Sequence, residues 1–190
     1  MPPPAIYYIR HGQTEWNAEH RLQGQRDIPL NDAGRAEARR SGEILRDILV
    51  REGRSLRDLD YVSSPLVRAS ETMELVRIAL GLHPAAYCTD PRLAEISFGQ
   101  WEGLTLADLK SGAAEQLAAR EQDPWRFTPP GGRELRRAKA ADRSLASKPC
   151  ARHCSLWPSQ HRAGVNGASR ACAARYGSAQ PHRSGRGLYI

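Results

Sequence analysis

The sequence predicts an α/β protein, a mainly parallel sheet layered with helices, and two observations carry that prediction. The first is the order of local signals. Short apolar runs that suit strands alternate with long one-sided helical stretches, joined by short links. The second is a break in composition. Residues 1–132 hold 16 Lys and Arg against 19 Asp and Glu, a net −3, whereas residues 133–190 hold 12 against 2, a net +10. Ile, Leu and Val make up 26 of the first 132 residues and 6 of the last 58. The α/β pattern is therefore expected in 1–132, with 133–190 a basic tail of a different kind.

The first strand is expected at 6–9, where four apolar residues in a row, IYYI, suit a strand covered on both faces. It runs straight into Arg10, His11 and Gly12, then the polar run Gln13, Thr14 and Glu15. Glycine commonly ends a strand, which is the plain reading. In open α/β sheets, however, ligands bind in the crevice beyond the carboxyl ends of the strands. There an Arg offers a charged fork for phosphate, and a neighbouring His can serve as a nucleophile.

Asn31 is placed to cap a helix through "DAGRAEARRSGEILRDILVREG" that stops near Gly53. Its apolar stripe reads Ile44, Leu45, Ile48 and Leu49. A short strand follows in "LDYVSSP" (59–65), and Pro65 suits the start of a helix running to about Leu82. "RLAEISFGQWEGLT" (92–105) reads as a loop, after which Thr105 opens a helix through 106–122. "DPWRFTPPGG" (123–132), with its prolines and glycines, is again a loop.

Three of these junctions hold an ionisable residue beside regular structure: Arg10 with His11, Arg68, and Glu95. Arg68 falls in the first turn of a helix, where unpaired N–H groups and the dipole favour an anion. Taken singly, Arg68 reads as well as a solvated helix residue, and Glu95 as an exposed loop carboxylate.

Four ordered segments change that balance: "RHGQTEWN" (10–17), "LQGQRDIPLNDAGRAEA" (22–38), "VSSPLVRASETMELV" (62–76) and "LAEISFGQWEG" (93–103). With them the sequence resembles the histidine phosphatase superfamily, also called phosphoglycerate mutase-like, over 132 of its 190 residues. The resemblance implies a three-layer sandwich with helices on both faces of the sheet. It makes His11 the phosphate-accepting nucleophile, Arg10 and Arg68 the holders of the phosphoryl oxygens, and Glu95 the proton donor to the leaving group. Gln13, Thr14, Asn17, Gln23 and Gly24 fall in segments that line the substrate pocket. No metal and no cofactor is implied. The expected activity is hydrolysis of a small phosphorylated metabolite through phosphohistidine. A phosphoglycerate mutase is the alternative, although "ISFGQWEGLT" (96–105) looks more like the phosphatase branch and the chain lacks the added length usual in mutases.

The chemistry needs these residue types. A nucleophilic His must be unprotonated near neutral pH, and two nearby guanidinium groups push its pKa down. The same groups stabilise charge on the equatorial oxygens during transfer. Glu95 can donate only when protonated, so burial or the phosphate's charge is expected to raise its pKa.

The resemblance stops at "PPGG" (129–132). The family calls for a second His-Gly, and none follows: His153, His161 and His182 each precede Cys or Arg. By position His161 is the better substitute. Cys150, His153, Cys154 and His161 lack the paired spacing of common zinc sites. The +10 charge with Trp157, Tyr176 and Tyr189 gives a reading of another class, a nucleic-acid-binding tail. The composition favours instead a segment that does not pack, translated out of frame, leaving the enzyme impaired. No stretch approaches the roughly 18 apolar residues of a membrane span, and "MPPPAIYYIRHG" has no secretory pattern. Four irregularly spaced cysteines outline no disulfide framework. A cytoplasmic enzyme is the expectation, and nothing in the sequence speaks to oligomeric state.

Overall fold

A computed structural model describes residues 5–133 and 187–189. The zinc and nucleic-acid readings of the tail, its histidines and its expected failure to pack lie, apart from 187–189, outside the described residues.

The chain forms β1 (Ile6–Tyr8), α1 (Glu15–Ala18), α2 (Asp32–Arg51), β2 (Asp60–Ser63), α3 (Val67–Ala79), β3 (Cys88–Thr89), α4 (Leu106–Gly112), α5 (Ala114–Gln122) and β4 (Gly187–Tyr189). All pairings are parallel, in the order β1-β4-β2-β3. The α/β class read from the sequence is therefore the class observed. Connections β1–α2–β2 and β2–α3–β3 progress across the sheet in one direction, and right-handed crossovers then put both helices on one face. There Leu45 and Leu49 of α2 and Met73 and Val76 of α3 close over Tyr61, with Tyr7 and Ile9 packed against them. Ile6 and Tyr8, on the alternate positions of β1, are 54% and 73% exposed. The expectation of a strand buried on both faces is thus corrected. Its apolar run reflects one packed face and one face that the described helices do not cover.

Asn31 caps α2 as expected, its side chain accepting from the Gly34 N–H at 2.9 Å. The buried stripe of α2 is Gly34, Ala38, Gly42, Leu45 and Leu49, and Ile44 is exposed. Small residues rather than Ile44 and Ile48 bring α2 against α3: a Cβ on Gly42 would lie 2.7 Å from the Ala79 Cβ and the Val76 carbonyl. The helix after "SSP" starts two residues beyond Pro65 and ends at Ala79, three residues short of the expected Leu82, before Gly81 turns at φ +73°. The single helix expected over 106–122 is two. Thr105 caps α4 through a capping box with Asp108, but the chain breaks after Ser111 and Gly112, both weak helix formers. The break lets Leu109 and Leu117 both reach a second core with Trp101, flanked by Phe98, Leu104 and Phe127.

Two short elements went unread in the sequence, α1 and β3, each too short for periodicity to register. A third difference is larger. Residues 133–190 were expected to hold no strand, yet Gly187–Tyr189 pairs with β1 on one side and β2 on the other.

Candidate active site

In a parallel sheet every carboxyl end points the same way. The segments that follow β1, β2 and β3 therefore meet at one edge, and they carry His11, Arg68 and Glu95 respectively.

His11 is half-buried, and its Nδ1 lies 2.8 Å from the Gly12 carbonyl. A carbonyl only accepts, so Nδ1 carries the ring proton and Nε2 keeps a free lone pair in the neutral imidazole. Burial holds the His11 pKa below its ordinary value, with smaller contributions from Arg68 and Arg10, while the bond to Gly12 opposes them. The guanidiniums act in the expected direction, but burial is the larger cause.

Gly12 sits in a clamp. Its N–H donates to Thr72 Oγ1 at 3.1 Å, and a Cβ there would lie 2.2 Å from the Gly34 carbonyl of α2. The next amide, Gln13 N–H, donates to Glu37 Oε2 at 2.9 Å, and the Gln13 side chain accepts from Asn31 Nδ2.

Arg68 is 2% exposed in the first turn of α3. Its Nη1 and Nη2 donate to the carbonyls of Arg26 and Gly24 at 2.9 and 2.8 Å. Burial lowers its pKa, offset in part by the carboxylates of Glu95 and then Asp27. Among the described residues it forms no ion pair, so a nearly buried cation is held by neutral acceptors. Arg10 is exposed and likewise forms none among them. One of the amides at the N-terminus of α3 is already taken, since Asp27 Oδ1 accepts from the Val67 N–H at 2.6 Å.

Glu95 is exposed on the loop that follows β3. Its Oε1 accepts from the Ile96 N–H at 2.9 Å, and its carbonyl accepts from Gln25 Nε2 at 3.0 Å. A cleft opens beside it, lined by Phe98, Phe127, Arg120 and Arg133 among others.

The remaining sequence-read residues divide by what their polar atoms do. Thr14 is wholly buried and makes a capping box with Asn17 at the start of α1. Asn17 Oδ1 is taken up in that box, which leaves its Nδ2 donors. Gln23 is 7% exposed, and its buried Oε1 has no partner among the described residues. Gly24 turns at φ +55°, with Glu102 Oε1 2.3 Å from where a Cβ would stand.

Sequence reasoning missed Glu102 and Thr72. The Glu102 side chain is 8% exposed and accepts from Gln25 N–H, Phe98 N–H and Ser97 Oγ, while facing Arg26 at 3.4 Å. It ties the turn that cradles Arg68 to the loop after Glu95. Its place in "WEG" was visible, but a carboxylate in a Gly- and Trp-rich loop does not announce buried partners.

The sequence model of the histidine phosphatase superfamily (branch 1) matches residues 6–154. A 2,3-bisphosphoglycerate-dependent phosphoglycerate mutase of Azorhizobium caulinodans is 37% identical over 131 residues, 69% of this chain and 61% of that one. A glucosyl-3-phosphoglycerate phosphatase of Mycolicibacterium vanbaalenii is 38% identical over 142 residues, 74% and 56% of the two chains. The chain thus spans about 60% of the length of these curated relatives. A solved mycobacterial glucosyl-3-phosphoglycerate phosphatase superposes with a TM-score of 0.62 at 26% identity, over 96% of this chain and 73% of the other.

Proposed function

The chain belongs to the histidine phosphatase superfamily, and from that membership we propose that it hydrolyses a small phosphomonoester through a phosphohistidine intermediate. The observation that carries the reading is the pairing of a half-buried His11, its Nε2 lone pair free, with a nearly buried Arg68 that has no ion-pair partner among the described residues. A cation so held is a site for an anion whose charge it shares.

Nε2 of His11 attacks phosphorus, and Arg10 and Arg68 hold the phosphoryl oxygens. The bond to the leaving oxygen breaks as Glu95 gives that oxygen its proton. Water then attacks the phosphohistidine, Glu95 takes back a proton, and inorganic phosphate leaves. The organic part of the substrate extends from Glu95 into the adjoining cleft, where aromatic walls and the guanidiniums of Arg120 and Arg133 favour an anionic group. Gln23 Oε1 awaits a donor such as a substrate hydroxyl. The reaction meets the phosphoryl charge with arginines and is read as metal-independent. A cytoplasmic location goes with a small phosphorylated metabolite as substrate.

A mutase is the second reading, favoured by the 37% identical relative of that name. Dependence of turnover on 2,3-bisphosphoglycerate separates the two. For the first reading, His11→Ala is expected to lower hydrolysis of p-nitrophenyl phosphate by more than about 10³-fold with unchanged far-UV circular dichroism. Labelled phosphate should remain on the wild-type protein in alkali and be lost in acid. Turnover within twofold of wild type in the variant removes the nucleophile. EDTA should leave the rate unchanged, and a loss restored by zinc or magnesium replaces the mechanism.

A further inference from the structure

We infer that Thr72 is a positioning residue that sets His11 against Arg68, an inference that rests on the phosphohistidine reading. Thr72 is wholly buried, one helical turn after Arg68 on α3. Its hydroxyl donates to the Arg68 carbonyl at 2.7 Å, the ordinary back-bond of a helical threonine. With that single proton committed, Oγ1 meets the Gly12 N–H as an acceptor, at 3.1 Å. The amide belongs to the peptide that joins His11 to Gly12, so this bond fixes the plane of the peptide leaving the nucleophile. The next carbonyl, that of Gly12, accepts from Nδ1 of His11 and fixes the ring. Gly12 has little room to shift, because the Gly34 backbone packs so close that a Cβ on Gly12 would lie 2.2 Å from its carbonyl oxygen. One hydroxyl therefore joins the strand end that carries the nucleophile to the helical turn that carries the phosphate holder, across 60 residues of sequence. In-line attack needs that spacing, and misplacing a reacting group by about 1 Å costs about 10²-fold.

A merely structural role would have Thr72 fill the core and satisfy a buried amide, with no consequence particular to the chemical step. Thr72→Val keeps the shape and removes the acceptor, whereas Thr72→Ser keeps the acceptor and removes a methyl. With p-nitrophenyl phosphate, Thr72→Val is expected to lower kcat by about 10- to 100-fold, and Thr72→Ser to recover most of it. The inhibition constant of inorganic phosphate should move less than about threefold in both, since Arg10 and Arg68 remain. Equal kcat losses in the two variants, an unchanged kcat in Thr72→Val, or a parallel loss of phosphate binding each overturn the inference. Should Thr72→Val fail to fold, amide hydrogen exchange in the unaltered protein decides. The Gly12 N–H is expected to exchange far more slowly than exposed loop amides, and exchange at their rate overturns the bond itself. That measurement stands even if the unaltered protein shows no phosphatase turnover, an outcome that would defeat the phosphohistidine reading alone.

Discussion

His11 works as a nucleophile only while its imidazole is neutral, and burial does most to keep it so. Its folded pKa lies below the ordinary value of about 6.5, so the unfolded chain binds the proton more readily. Stability from this group is then complete above about pH 6.5 and is lost as pH falls through the lower folded value. An NMR titration of the His11 ring should give a midpoint below 6.5, and Arg68→Met should raise it only in part, because the guanidinium is the lesser cause. A midpoint at or above 6.5 contradicts the electrostatics of the site. Glu95 invites a different test, by leaving group. Glu95→Gln is expected to cost about 10²–10⁴-fold on an alkyl phosphate, whose alkoxide needs a proton. The cost should be below about tenfold on p-nitrophenyl phosphate, whose leaving group does not. Equal losses count against proton donation. These residues were legible because their types carry chemistry wherever they stand. Thr72 and Glu102 were not, since a threonine inside a helix and a carboxylate in a loop acquire meaning only from the buried amides they face.

Between elements, what positions the site is close backbone approach, and glycine makes it possible. A Cβ on Gly34 would stand 2.0 Å from the Gln13 carbonyl and 2.6 Å from its nitrogen, where α2 lies against the loop after His11. Gly34→Ala should therefore cost about 1–3 kcal/mol of stability through overpacking, with kcat falling as the loop is pushed from α2. Gly112, the last residue of α4, has open space around its missing Cβ. Gly112→Ala should be neutral or slightly stabilising, since alanine is the better helix former by about 1 kcal/mol. Chemical denaturation of the two variants checks both, and equal effects would remove the packing argument. The same contrast marks the limit of the sequence at this scale. Asn31 as a cap and the course of α2 follow from local chemistry. The docking face of α2 does not, because hydropathy weights Ile44 and ignores Gly34 and Gly42, the positions where the neighbouring backbone comes nearest. The four residues of α1, closed by their own capping box, and the two of β3, held by pairing with β2, are too few to leave a period to read.

For the whole molecule the decisive element is β4. Among the described residues β1 has no strand partner but β4, and β4 in turn pairs with β2, so the strand that leads to His11 joins the sheet through Gly187–Tyr189. The composition of 133–190 pointed the other way, to a segment contributing nothing to the fold. The reason lies in how composition is read: an average over 58 residues hides three, and a ladder is made by backbone groups that every residue carries. The two views predict opposite results for a chain ending at Arg186. If β4 completes the sheet, that truncation removes ladder bonds on both sides of a central strand, each worth about 1 kcal/mol net. Against a total stability of about 5–15 kcal/mol, the loss of several bonds should lower the melting temperature markedly. Turnover should fall with it, since β1 sets the position of Arg10 and His11 at the sheet edge. Circular dichroism melts and p-nitrophenyl phosphate assays of the two chains decide the matter. A truncated chain that melts and turns over like the full one would mean that the body folds without its C-terminal strand, and that the sheet closes on β1 by other means.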